Sequence, residues 1–163
     1  LAVVRNGETV AGIIHDPVGG DWAIGQRGAG TRIRAADGSE RTIRVADPAP
    51  VSEMTGALSL QGLAQPQRSI MARNQSKYLS QVGYRCAAHE YRLVANGYAH
   101  FALYNKLMPW DHLAGVLIHE EAGGHAARFD GSPYRPGHLD GGILVAPDRE
   151  SWTALREALW AED

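Results

Sequence analysis

The stretch Met108-Pro109-Trp110-Asp111-His112-Leu113-Ala114-Gly115-Val116-Leu117-Ile118-His119-Glu120-Glu121-Ala122-Gly123-Gly124 concentrates the residues best placed to do chemistry. Pro109 and Trp110 end an extended segment, the apolar run 113–118 buries a helix, and Gly123-Gly124 stops it. Asp111 thus stands at a helix N-terminus, where its side chain either caps the orphan N–H groups of the first turn or is free to meet a ligand. Spacing alone does not choose between the two. Other candidates are weaker. Glu120 and Glu121 are adjacent carboxylates, but helical neighbours point roughly 100° apart, and structural or solvated roles suit them better. His112 and His119 share a helix face two turns apart, too far along the axis to hold one metal, and no H-E-x-x-H spacing occurs. Cys86 lacks an evident histidine and acid partner and reads as a small, half-buried residue at a helix start. Gly28-Ala29-Gly30 lacks both the third glycine and the following helix of a phosphate loop, which leaves a turn.

Taken whole, the 110–124 string resembles the W-D-x-A-A-G-x-x-I-x-x-E-A-G-G box of the inositol monophosphatase family. It matches at Trp110, Asp111, Ala114, Gly115, Ile118, Glu121, Ala122, Gly123 and Gly124. Residues 10–47 are similar to the family's stretch after its first metal box, where a strand, an R-G-x-G-A turn and a short hairpin recur. The resemblance implies an α/β fold, a layered αβαβα sandwich of which this chain is a C-terminal portion, incomplete at the N-terminus. It also implies Mg²⁺-dependent hydrolysis of a small phosphomonoester, a homodimer, and Asp111 as metal ligand. The helix start that presents Asp111 suits a site that also holds phosphate, since that end of the dipole favours negative charge.

By the same resemblance, Arg85, Cys86 and Ala87 fall on the family's substrate-facing G-T/S-A-A segment; Ala87 and Ala88 keep its pattern, while Arg85 and Cys86 depart from it. Tyr104 stands where inositol phosphatases carry an acidic residue that binds substrate hydroxyls. A phenol can hydrogen-bond a hydroxyl but offers no carboxylate to a vicinal diol, so the expected substrate is a phosphomonoester other than myo-inositol phosphate. The family's remaining metal carboxylates lie in an E-E box and a D-P-[IL]-D-G-T box. Neither occurs here: Glu121 belongs to the E-A-G-G helix ending, and Asp16-Pro17-Val18-Gly19-Gly20 lacks the second Asp and the Thr. One carboxylate does not make a multi-metal site, so residues 1–163 alone are expected to turn nothing over. The alternatives are a non-catalytic module that keeps the fold for association or, among enzymes, a bisphosphate nucleotidase or a histidinol-phosphatase.

Composition sets the limits. The 163 residues, 44% of them hydrophobic, suffice for one core. A net charge of −2 gives no general attraction to nucleic acid or anionic membrane, so neither partner is expected and phosphate recognition must be local. A single cysteine excludes an internal disulfide, and no apolar run approaches the ~20 residues of a membrane span; together they fit a cytoplasmic protein. The chain opens on Leu1 inside a strand-like run, which reads as a cut within a fold.

The elements that must position Asp111 follow from periodicity. Residues 1–5 and 9–15 around Asn6-Gly7 form a hairpin signal, and runs at 22–26, 31–34 and 42–45 continue an antiparallel meander over residues 1–50. Over residues 51–163 the pattern changes to alternating strands and helices. Strands are expected at 57–60, 82–84, 98–104, 125–129 and 142–146. Helices are expected at 66–79, with Ile70, Met71 and Leu79 inward, and at 86–95, 111–122 and 148–160. Such alternation predicts a mixed sheet covered on both faces.

Overall fold

A computed structural model of the chain describes residues 1–60 and 62–162. Residues 2–42 form a five-stranded meander: β1 (Ala2–Arg5), β2 (Glu8–Asp16), β3 (Asp21–Gln26), β4 (Gly30–Arg34) and β5 (Glu40–Thr42), each antiparallel to the next. Asn6 and Gly7 both take positive φ, 53° and 77°, the pair of left-handed residues that a tight hairpin turn demands. The rest of the chain builds a mixed sheet from β6 (Thr55–Leu58), β7 (Ser80–Val82), β8 (Phe101–Tyr104), β9 (His125–Arg128) and β10 (Ile143–Ala146), in the order β7-β6-β8-β10-β9. β6 runs parallel to β7 and β8, whereas β10 is antiparallel to β8 and β9. Four helices join them: α1 (Gln67–Arg73), α2 (Ala87–Ala95), α3 (Pro109–Glu121) and α4 (Arg149–Trp160).

These elements stack as β/α/β/α. α3 lies across β2 and β3 of the first sheet and against α2, with Ile118 meeting Ala23 and Ile33. Beneath α2 and α3 lies one face of the mixed sheet, where Tyr91 and Val116 meet Ala102, Ile143 and Val145. Phe101, Leu103 and Leu144 turn to the opposite face and pack on α1 and α4 through Met71, Trp152, Leu155 and Leu159. Every residue of β8 and β10 is buried, because adjacent residues feed opposite helical layers. Each large apolar side chain so buried contributes roughly 1.5–3 kcal/mol. Four layers of the expected αβαβα order are present; no helix covers the outer face of the first sheet among the described residues.

β6, β7 and β8 begin at Thr55, Ser80 and Phe101 rather than at residues 57, 82 and 98, and other boundaries differ for a visible reason. α1 ends at Arg73 and passes into a 3₁₀ turn at Asn74–Lys77 instead of running to residue 79. The buried Asn74 amide donates to Leu159 O (3.1 Å) and Ala161 O (3.0 Å), closing the end of α4, and this fixes the chain there. Tyr78 then turns inward, edge-on to Phe101 at 5.4 Å, and Leu79, expected inside, is 66% exposed. β5 spans Glu40–Thr42 rather than residues 42–45, since Val45 N leaves the ladder to donate to Ala122 O at the end of α3. Asp111, finally, is not the N-cap: Met108 holds that position, Pro109 opens the helix with its preset φ, and Asp111 sits in the first turn.

Two outcomes follow for stability. A Cβ on Gly115 would enter the ring of Tyr91, so Gly115→Ala is expected to lose about 1–3 kcal/mol in urea unfolding. His119 is fully buried, its Nε2 bonded to Ala146 O at 2.9 Å, and burial lowers its pKa from 6.5 to about 4. Above pH 6.5 it is neutral in both folded and unfolded chains and adds no pH dependence. From there down to about 4 the unfolded chain takes a proton that the fold refuses, and stability falls by up to roughly 1.36 kcal/mol per pH unit. Unfolding midpoints across this window should show a slope that flattens in His119→Gln.

Candidate active site

The first turns of α2 and α3 converge on one region. Ahead of α2, Arg85 takes φ 53° and Cys86 φ −143°, a sharp corner that aims the helix N-terminus outward. A buried carboxylate holds that corner. Glu90 accepts from Tyr84 N (3.0 Å) and Arg85 N (3.2 Å) through one oxygen, and from the Tyr104 hydroxyl (3.0 Å) through the other. Two amides and a phenol therefore share its charge, which a buried carboxylate requires. Tyr104 comes from the end of β8, so this one side chain ties a strand of the mixed sheet to the start of α2. Within α2 the first hydrogen bond runs from Glu90 N to Cys86 O, and the amides of Ala87, Ala88 and His89 lie ahead of it at the anion-favouring end of the helix.

Under this corner Tyr91, Tyr104 and His112 pack with ring centroids 4.8–5.9 Å apart. His112 bonds the Tyr91 hydroxyl through Nδ1 (3.1 Å) and Lys106 O through Nε2 (2.8 Å). A carbonyl can only accept, which assigns the proton to Nε2 and makes Nδ1 the acceptor from the phenol. Burial lowers the His112 pKa and raises those of Tyr91 and Tyr104 well above 10, so the cluster carries no charge near neutrality. His119, further along α3, points instead to Ala146 O.

Asp111 is exposed, and among the described residues no hydrogen bond or ion pair engages its carboxylate. It stands on the wall between two depressions. The larger, about 730 Å³, is lined by Arg85, Cys86, Ala87, Glu90, Tyr104 and Lys106 among others. The smaller, about 530 Å³, lies between Asp111, Trp110, His15 and Leu1. Arg85, Cys86, Ala87 and Asp111 border both. All five residues singled out from the sequence thus border one cavity, although Tyr104 has its hydroxyl committed to Glu90 and Cys86 is exposed rather than half-buried. Glu90 went unrecognised; an acidic residue four positions past a helix N-cap, reaching back to the preceding amides, was the available signal.

The donor set suits a hard cation in part. Mg²⁺ takes about six oxygens and is commonly held through one or two carboxylates. Asp111 supplies one, Glu90 is already saturated, and no three His, Cys, Asp or Glu side chains converge among the described residues. The turn at Gly28-Ala29-Gly30 is closed to phosphate, because its Gly28 and Gly30 amides (2.9 Å each) donate to Glu121. Glu120 pairs with Arg27 at 2.7 Å. The two adjacent carboxylates are structural.

Comparison with known proteins adds the relatives. The family model described as inositol monophosphatase family matches residues 1–163. The chain is similar to a Nus factor SuhB of Xylella fastidiosa, with 30% identity over 81% of this chain and 48% of that protein. It is 29% identical to a fructose-1,6-bisphosphatase/inositol-1-monophosphatase of Thermotoga maritima over 80% of this chain and 48% of the relative. In fold it is similar to an inositol monophosphatase from Zymomonas mobilis, with a TM-score of 0.85, 19% identity and coverage of 98% of this chain and 61% of that one. The chain spans about half the length of the curated relatives it matches.

The Glu90 cluster generates its own test. Glu90→Ala leaves two amides and a buried phenol without their acceptor, and charge-assisted bonds of this kind are worth about 1.5–3 kcal/mol each before relaxation. Urea unfolding should shift by at least ~2 kcal/mol, and amide exchange at Tyr84 and Arg85 should accelerate while that of β2 stays unchanged.

Proposed function

The chain belongs to the inositol monophosphatase family, and on that premise we propose that the protein is a Mg²⁺-dependent phosphatase of small phosphomonoesters in which Asp111 is a metal ligand. Family membership supports a phosphatase of this superfamily. One observation carries the finer reading: a carboxylate with no described partner, at the wall shared by two depressions, beside the N-terminus of α2.

The bound cation would polarise the phosphoryl group, lower the pKa of a coordinated water and neutralise the leaving alkoxide. The chain's own residues do the rest. The amides of Ala87 to His89 offer hydrogen bonds to phosphate oxygens at a helix end that favours them. Glu90 keeps that helix start at a fixed distance from β8, which is how a site holds a phosphate in line with its attacking water. Tyr104 borders the cavity as a buried phenol whose hydroxyl is committed to Glu90 and offers no carboxylate to the substrate's alcohol portion, which supports a substrate other than myo-inositol 1-phosphate.

No helix of the described residues is long and apolar enough to cross a membrane. Asp111→Asn in the complete protein should reduce Mg²⁺-dependent kcat at least ~100-fold while thermal stability moves by no more than ~1 kcal/mol. Residues 1–163 by themselves should hydrolyse nothing on addition of Mg²⁺; turnover by this piece, or an Asp111→Asn enzyme of normal rate, refutes the assignment of the metal site.

A further inference from the structure

The start of α3 has no side-chain cap. Met108 holds the N-cap position without a side-chain hydrogen bond to the first turn, and Pro109 follows it. The glycine contacts that bring the first sheet onto the backbone of α3 begin at Ala114, one turn further along. Of residues 109–112 only His112 is buried, while Trp110 and Asp111 are exposed. Helix ends that nothing restrains fray, so the turn carrying Asp111 depends on what His112 does.

His112 restrains that turn twice. Its Nε2 donates to Lys106 O at 2.8 Å, reaching back over the loop that enters its own helix. Its Nδ1 accepts the hydroxyl of Tyr91 from α2 at 3.1 Å. Tyr91 directly follows Glu90, which holds the corner ahead of α2 through Tyr84 N and Arg85 N. Adjacent residues of α2 thus secure both the start of their own helix and the start of α3. Neighbours on a helix point roughly 100° apart, so a fixed His112 also fixes the direction in which Asp111 faces. With both ring nitrogens engaged inside the protein, His112 acts through Asp111 and not on a ligand.

Resting on the phosphatase reading, we propose that His112 is a positioning residue. Its bond to Lys106 O holds the turn that presents Asp111 to the cation, and its bond from Tyr91 sets the separation between that cation and the phosphate-facing amides of Ala87 to His89. The two bonds therefore have different signatures: losing the first weakens cation binding, and losing the second slows the reaction without changing affinity.

The test uses the complete protein with Mg²⁺, glycerol 2-phosphate and p-nitrophenyl phosphate, and variants that separate the two bonds. Tyr91→Phe keeps the ring and removes the hydroxyl. His112→Gln carries an amide nitrogen to the place of Nε2 and keeps the bond to Lys106 O, whereas His112→Leu supplies neither bond. In His112→Leu, calorimetric Mg²⁺ affinity should fall about tenfold, and His112→Gln should recover it to within about twofold of the parent. Exchange of the Asp111 and His112 amides, which both donate to Met108 O, should quicken at least about tenfold in His112→Leu while that of β10 holds. Tyr91→Phe and His112→Gln should lower kcat about tenfold with KM within about twofold. A merely structural histidine would lower the melting temperature and leave kcat and Mg²⁺ affinity of the folded enzyme unchanged, which overturns the proposal. Equal Mg²⁺ affinities in His112→Gln and His112→Leu overturn it as well. Should His112→Leu not fold, an unchanged kcat in Tyr91→Phe overturns it alone. If the parent hydrolyses neither ester, the phosphatase reading fails on its own, and amide exchange still decides the role of His112: equal rates at Asp111 in parent and His112→Gln with faster rates in His112→Leu sustain it, and no change in His112→Leu overturns it.

Discussion

Helix α3 lies so close to the first sheet that a Cβ on Gly12 would stand 2.7 Å from Ala114 O, and one on Gly25 3.1 Å from the Ile118 Cα. On its other flank Gly115 admits the ring of Tyr91 from α2. Two strands thus meet α3 at backbone distance through their glycines, and the Tyr91 ring of α2 enters where Gly115 supplies no side chain to hold it off. Such packing has no slack, since a one-methylene change in a close-packed interior is felt by its neighbours. The rest of the site inherits that rigidity. Asp111 needs no side-chain partner to fix its place because the helix that bears it is fixed, and its carboxylate stays available at the wall of the two depressions.

Polar groups behind the cavity follow the opposite logic: they are fully engaged with one another. Glu90 accepts three hydrogen bonds, Tyr104 donates to it, and Tyr91 donates to His112, which donates to Lys106 O. A partly satisfied network at this depth would cost more than an apolar one, and completing it turns that liability into a rigid floor. The division of labour is by exposure. The polar atoms of Glu90, Tyr104, Tyr91 and His112 are consumed by structure, while the side chains left over at the rim, Asp111, Arg85 and Lys106, are those able to change partner when a ligand arrives.

What the sequence made legible follows from the range of each interaction. The Asn6-Gly7 hairpin, the meander and the buried helix after Trp110 depend on neighbours a few residues away, and their patterns survive in the string. The early end of α1 depends on Asn74 meeting a helix terminus 85 residues on, and the departure of β5 from its ladder depends on Ala122 O; no local pattern encodes either. At the site, Asp111, Arg85, Cys86, Ala87 and Tyr104 were found through a motif, whose spacing brings α2, β8 and α3 together at one cavity. Glu90 has a local half, its bonds from Tyr84 N and Arg85 N, that the spacing past the helix N-cap could have signalled, and a distant half, the Tyr104 hydroxyl fourteen residues on, that no local pattern encodes.

The chain contains its own control for reading Asp111 as something other than a helix cap. Asp148 precedes α4, and its side chain folds back to accept from Ser151 N at 2.7 Å, as a capping carboxylate does. Asp111 lies in the first turn of α3 with no such bond, in a helix whose N-cap is Met108 and whose first residue is a proline that has no N–H to satisfy. Its remaining structural benefit is the helix dipole, about 0.3–1 kcal/mol for an exposed charge, which a glutamate or a phosphate would supply as well. The first-turn amides of Asp111 and His112 are served by Met108 O, so the Asp111 carboxylate is left free of its own backbone, unlike that of Asp148. That free carboxylate stands at the wall shared by two depressions.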